Sequence, residues 1–99
     1  MNNKTYFFHF RAGSSPATIA FKVNEEAGLV LWDAAFCSSK DFFRKDFGRK
    51  VSEERLLKRI KNLSYLHLPI TVPVNIRLIR REVMSQITSH PDCPQSFKV

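Results

Sequence analysis

A row of basic side chains is the part of this sequence best suited to chemistry with a ligand. Arg55, Lys58, Arg59 and Asn62 recur at the i, i+3, i+4, i+7 spacing that places side chains on one face of an α-helix. Lysine and arginine neutralise the phosphates of nucleic acid and release the counterions condensed on them. The spacing therefore predicts a helix face that binds phosphates.

Ion pairing within the helix is the ordinary alternative use of such charges. An acid four positions before a base pairs with it on the helix surface. Between residues 52 and 62 only Glu54 and Lys58 have this order. The remaining cations of the segment are Arg55, Arg59 and Lys61. We expect these three side chains to stand free of acid partners and to face away from the core.

Charge is unevenly distributed along the 99 residues. The chain has 16 Lys and Arg against 9 Asp and Glu, a net charge of +7, and residues 40–61 hold nine of the bases and four of the acids. Such an asymmetry favours an anionic partner, either nucleic acid (DNA or RNA) or an acidic protein surface. The predicted binding residues are Arg49, Lys50, Arg55, Lys58, Arg59 and Lys61.

Aromatic side chains near these cations offer stacking surfaces for bases. Phe42 is expected to be exposed, whereas Phe43 and Phe47, four positions apart, are expected in the core. Phe7 and His9 share one phase of the first predicted strand, and on an open sheet face they would contact RNA bases or single strands. The alternative is that the C-terminal helix or a second copy of the chain, as in a homodimer, covers that face.

Catalytic and metal chemistry have weaker support in the sequence. His90, Cys93, Cys37 and His67 count to four metal ligands, but they come from three separate segments. His9 and His67 would support metal-free cleavage of RNA by acid–base chemistry only if the fold brought them into one site. We therefore expect a non-enzymatic protein with no catalytic residue, no metal and no cofactor.

The strands that must position these side chains follow from hydrophobic alternation. Apolar residues alternate over 6–11 and 18–23, and a more uniformly apolar run covers 29–36. Polar turns at 12–16 and 24–28 join the three runs. Turns this short connect antiparallel neighbours, so the pattern predicts a meander.

Two short helices are predicted after the third strand, over 40–47 and 52–62. On a single straight helix Ile60 would lie about 180° around the axis from Val51, so the two apolar sets would not share a buried face. Gly48 between the two sets favours a break.

An edge strand and a last helix complete the predicted order. Pro69 removes a ladder donor, which restricts its strand to a sheet edge, and this strand is expected to end near Val74. Asn75 is a good N-cap for a helix over 75–88, whereas the apolar alternation, which continues to residue 78, leaves a strand as the alternative for this segment. The predicted fold class is α+β, with an antiparallel three- to four-stranded meander, two short helices, an edge strand and a C-terminal helix.

The sequence predicts one domain over residues 1–88 and a flexible tail over 89–99. No run approaches the ~20 apolar residues of a membrane-spanning helix. The N-terminus lacks the pattern of a secretory signal, and the two cysteines form no CxxC pair. We therefore expect a cytoplasmic protein that does not insert into membranes.

Three functions are compatible with these patterns. The first is nucleic-acid binding through the basic helix face. The second is an inhibitor or adaptor, of the kind that phages and mobile elements encode, that binds an acidic or nucleic-acid-handling protein complex. The third is a small metal-free ribonuclease. The sequence has no Walker, zinc-finger, RNP or KH pattern that would separate them.

Overall fold

The chain forms a four-stranded antiparallel sheet that carries a helix on each face. A computed structural model describes residues 4–12, 15–36, 44–70, 75–91 and 93. The strands are β1 (Tyr6–Ala12), β2 (Ser15–Asn24), β3 (Leu29–Phe36) and β4 (Leu66–Pro69), and they lie in the order β1-β2-β3-β4. The helices are α1 (Lys45–Lys61), α2 (Ile76–Ser85) and a short 3₁₀ helix (Ile87–Ser89). The predicted α+β class and antiparallel meander are confirmed.

The turn between β2 and β3 shows how local chemistry sets the strand register. Asn24 accepts a hydrogen bond from the Ala27 N–H at 3.1 Å, and the Gly28 N–H donates to the Glu25 carbonyl at 3.2 Å. Gly28 has a φ of +68°, a left-handed conformation that glycine adopts without steric cost. The turn brings Asn24 opposite Leu29, and this register determines on which face of the sheet each side chain of β3 lies.

One face of the sheet carries the large apolar side chains. Phe8, Ile19, Phe21 and Trp32 are buried there, and Tyr6 stacks on Phe21 with ring centroids 5.2 Å apart. Three buried side chains from α2 and the 3₁₀ helix complete this cluster, namely Ile79, Val83 and Ile87. The aromatic face therefore forms the main core.

The helix α2 begins after Asn75, the N-cap residue that the sequence predicts. The Asn75 side chain accepts hydrogen bonds from the backbone N–H groups of Arg77 and Leu78, at 3.0 and 3.3 Å. These bonds satisfy two of the donors that a helix leaves unpaired at its start.

The opposite face of the sheet carries small side chains and is covered by α1. Thr18, Ala20 and Asp33 alternate with the core residues and are completely buried. The helix packs across β2 and β3. Its buried residues are Gly48, Ser52 and Leu56. Because they recur every four positions and two of them are small, they form a stripe that lets the helix backbone approach the sheet closely.

The structure joins the two predicted short helices into one. From Lys45 to Lys61 the helix runs without a break, and the Gly48 N–H donates to the Arg44 carbonyl at 2.8 Å. Gly48 therefore contributes to packing and does not interrupt the helix. Phe47, which was expected in the core, has 63% of its surface exposed, and Leu57 has 47% exposed.

The chain returns to the sheet after the 3₁₀ helix. His90 is buried, with its ring centroid 5.7 Å from that of Trp32 and 5.2 Å from that of Phe36, the latter in an edge-to-face contact. Cys93 is also buried, and its N–H donates to the His90 carbonyl. Residue 92 and residues 94–99 of the predicted tail lie outside the described residues. Across the described ranges, no helix is long and apolar enough to cross a bilayer.

Candidate functional site

The helix α1 carries most of the positive charge that the sequence concentrates in one segment. It contains seven basic and three acidic residues, and Lys58, Arg59 and Lys61 all lie in its last turn. Cations at this end interact favourably with the carbonyl groups that a helix leaves unpaired. Part of the charge therefore stabilises the helix itself.

The predicted basic face exists and lines a concavity. An open depression of about 310 Å³ lies along the C-terminal half of α1. Its lining residues are Arg55, Lys58, Arg59, Asn62 and Ser64. Each of these side chains can donate a hydrogen bond, and none of the described residues that line the depression is acidic. An anion that accepts several hydrogen bonds suits this lining.

Arg59 is not free of acid partners, and this corrects the expectation from the sequence. Its Nε atom lies 2.7 Å from the Oδ2 atom of Asp33, whose side chain is completely buried, while 28% of the Arg59 side chain is exposed. Among the residues that the structure describes, no hydrogen-bond donor is aligned with Oδ2, so this close contact is an ion pair held by charge. The acid comes from β3, so the local spacing rules for a helix give no sign of it.

Asp33 connects α1 to the segment that follows α2. Its Oδ1 atom accepts hydrogen bonds from the Ala34 N–H and from Nε2 of His90, both at 2.7 Å. An ionised carboxylate can only accept, so Nε2 of His90 carries the proton in this contact. Three distant parts of the sequence therefore meet at one buried carboxylate.

Arg55 is held by the backbone of β3. Its Nη1 atom donates to the Ala34 carbonyl at 3.1 Å. Because β4 pairs with residues 29–32, no strand formed by the described residues lies beside the rest of β3 on that side. Two side chains satisfy the backbone groups of Ala34 at this edge. Arg55 donates to its carbonyl, and Asp33 accepts from its N–H. Arg55 therefore faces the sheet as well as the concavity.

The other predicted binding residues do not share the concavity. At 100° per residue, Arg49 lies about 180° around the helix axis from Lys58. Lys50 and Lys61 lie within about 20° of each other, on the side of the helix that faces solvent. Within the described part of the chain, Arg49, Lys50 and Lys61 form no ion pair, and neither does Lys58.

Arg49 and Lys45 lie near β1 instead. The pKa of His9 is lowered from its ordinary value by burial and, to a smaller extent, by the positive charges of Lys45 and Arg49. The His9 Nδ1 atom is 2.8 Å from the Thr18 hydroxyl oxygen. The N-terminal half of α1 thus forms a second cationic area, which is separate from the concavity.

The structure describes two of the three stacking candidates. Phe42 and Phe43 lie outside the described residues, and Phe7 and His9 are half-buried. Phe47 is the aromatic side chain that α1 exposes. Its exposure follows from the buried stripe of small residues, which a search for apolar periodicity does not detect.

The structure separates the two histidines that a ribonuclease would need. His9 is on β1 and His67 is on β4, at opposite edges of the sheet. Three strand spacings place them at least about 14 Å apart, so they do not form one acid–base pair. Among the residues that the structure describes, no three His, Cys, Asp or Glu side chains converge on a common point. Cys37 lies outside them.

Comparisons of the chain with protein families, curated proteins and solved structures find no match.

Proposed function

We propose that this protein binds nucleic acid without catalysis, through the exposed cations of α1 and the concavity along its C-terminal half. The observation that supports this most strongly is the lining of the concavity. It has three cationic side chains, an amide and a hydroxyl, and no acid among the described residues. Phosphate oxygens accept several hydrogen bonds at once and carry the complementary charge.

An exposed aromatic side chain on the same helix favours nucleic acid as the anion. Phe47 precedes Lys50 by three positions, so the two side chains are neighbours on the helix surface. An aromatic ring beside a cation is typical of surfaces that bind single strands, where the ring stacks on a base and the cation contacts the backbone. A single-stranded oligonucleotide is therefore the proposed ligand for the first test.

The experiment is an electrophoretic-mobility titration of a single-stranded oligonucleotide at several salt concentrations. Lys58→Ala with Lys61→Ala should weaken binding and reduce the slope of log K against log[salt] by about 1.4, because two phosphate contacts are lost. The matched control is Arg77→Ala with Arg81→Ala, which removes the same charge from exposed positions of α2. Equal weakening by both pairs, or an affinity that salt leaves unchanged, would contradict the proposal.

An acidic protein complex is the second candidate partner. Leu63 has 84% of its surface exposed and Leu57 has 47%, and both lie close in sequence to Lys58 and Lys61. Apolar side chains beside cations are typical of protein interfaces. Leu57→Ser with Leu63→Ser keeps the charge, so it should abolish capture of an acidic partner from nuclease-treated lysate while leaving oligonucleotide affinity unchanged. A wild-type protein that captures no acidic protein from this lysate would favour nucleic acid alone.

A further inference from the structure

Each of the two arginines of the concavity has a contact with the protein that restricts its orientation. Arg59 directs its Nε atom to the buried Asp33, and Arg55 directs Nη1 to the Ala34 carbonyl. A guanidinium group has five N–H donors, so each arginine keeps several donors beyond these contacts. Because the protein sets the orientation, less side-chain entropy is lost when a ligand binds.

Arg59 presents the donors that recognise a phosphate. With Nε at Asp33, its two terminal nitrogens form no hydrogen bond within the described structure, and the side chain lines the concavity. Arginine binds phosphate through pairs of parallel N–H groups. Asp33 does not itself line the depression, so it acts on a ligand through the orientation of Arg59 and through its charge.

The end of α1 supplies the remaining donors. Leu63 has a φ of +55°, and the Ser64 N–H donates to the Arg59 carbonyl at 2.9 Å. This reversal of the chain places Ser64 beside Asn62 in the lining of the same depression.

The charge of the depression indicates which kind of phosphate it suits. Arg55, Lys58 and Arg59 carry three positive charges, and Asp33 offsets one of them. The remaining two charges match a terminal phosphate, which carries about −1.5 to −2 at neutral pH, better than the single charge of an internal phosphodiester.

We infer that the concavity binds the terminal phosphate of a nucleic-acid strand, and that Asp33 is the positioning residue that orients Arg59 toward it. This inference rests on the proposed function, because it specifies which group of the nucleic acid the same surface recognises. The rest of the strand leaves through the open mouth of the depression, toward the exposed cations of α1.

The test compares one oligonucleotide in three forms, with a 5′-phosphate, with a 3′-phosphate and with hydroxyl groups at both ends. At least one phosphorylated form should bind about tenfold more tightly than the hydroxyl form, because a bidentate charged contact is added. Arg59→Lys keeps the charge but removes the paired donors, so this ratio should fall toward one. Asp33→Asn should lower the same ratio through the loss of orientation, even though it adds one unit of net positive charge to the depression. A higher ratio in this variant would show that Asp33 acts through its charge and is not a positioning residue.

The ratio separates positioning from stability, because a loss of folded protein weakens both forms equally. Since Asp33→Asn changes a buried residue, Ser64→Asp serves as an exposed variant that places a negative charge in the depression, and Ser85→Asp is its control on α2. Ser64→Asp should abolish the preference and Ser85→Asp should keep it. Salt-dependent binding without any preference for a terminal phosphate would overturn this inference and leave the proposed function standing. Absence of binding to all three forms would overturn both.

Discussion

At the scale of single residues, Arg59 has two roles, because the side chain that lines the concavity also neutralises a buried carboxylate. Asp33 is completely buried, whereas 28% of the Arg59 side chain reaches solvent. An acid in this position needs a positive partner, since removal of one member of a buried pair leaves an uncompensated charge. Substitutions at Arg59 therefore change folding as well as binding, and they must be read against a measure of stability.

We expect Arg59→Ala to lower the free energy of unfolding by about 2–3 kcal/mol. This is less than for a fully enclosed pair because solvent reaches part of Arg59, and because His90 also contacts the carboxylate. Urea denaturation checks the value. Lys61→Ala, on an exposed position of the same turn, should change the free energy by less than about 0.5 kcal/mol.

A double-mutant cycle tests whether the cost comes from the pair itself. Asp33→Asn removes the charge that Arg59 neutralises, so adding Arg59→Ala to that variant should cost less than it does in the wild type. Equal costs in the two backgrounds would mean that Arg59 stabilises the fold through other contacts.

At the scale of elements, α1 depends on a packing stripe that contains little hydrophobic surface. Gly48, Ser52 and Leu56 face the sheet, and the Ser52 hydroxyl donates to the Arg49 carbonyl at 3.2 Å. The opposing sheet residues include Thr18 and Ala20, which are also small. Helix and sheet are therefore close together, and little space remains for a larger side chain between them.

We expect Ser52→Leu to destabilise the fold by about 1–3 kcal/mol, because a larger side chain would push α1 away from β2 and β3. Thermal unfolding checks this, with Glu54→Leu as the control at an exposed position of the same helix. If both variants have the same melting temperature as the wild type, the stripe is not closely packed.

The same stripe explains which parts of the structure the sequence predicts. The first two strands follow from apolar alternation, the third from a continuous apolar run, and the start of α2 from the capping side chain of Asn75, all of which are local signals. Gly48 and Ser52 are not apolar, so hydrophobic periodicity places the buried face of α1 on Phe47 instead. Both the predicted break in the helix and the predicted burial of Phe47 follow from that assignment.

The candidate site was predictable to a similar extent. The i, i+3, i+4, i+7 spacing correctly places Arg55, Lys58, Arg59 and Asn62 on one surface. The partner of Arg59 was not predictable, because Asp33 reaches it through the tertiary fold and no local rule connects the two positions.

At the scale of the whole molecule, α1 spans the sheet and divides its positive charge between two areas. Its first turns lie near His9 on β1, and its last turns lie at the open edge of β3. The chain carries a net charge of +7, so both areas attract anions. The positive charge of the area near β1 affects the titration of His9, which can therefore be used to observe it.

We expect the folded state to lose stability as the pH falls below the ordinary His9 value of 6.5. Burial and the charges of Lys45 and Arg49 lower the pKa of His9, so the unfolded chain binds a proton at a higher pH than the folded chain does. The loss is complete once the pH is below the lowered value in the folded state, and it is absent well above 6.5.

Urea denaturation at several pH values checks this prediction. The loss should be smaller in His9→Asn, which does not titrate, and in Lys45→Ala with Arg49→Ala, which removes the nearby charge. A pH dependence identical to that of the wild type in both variants would show that other groups cause it. The pKa of His9, measured by NMR, should rise when an oligonucleotide neutralises these two cations.

Trp32 is the only tryptophan of the sequence, and its buried ring lies against His90, whose own partner is Asp33. The chain therefore has a single indole chromophore, three contacts away from the guanidinium group of Arg59. A phosphate bound at the terminal nitrogens of Arg59 would add negative charge beside this ion pair and change the electric field around the indole. Intrinsic emission can thus report occupancy of the concavity without any dye attached to the protein.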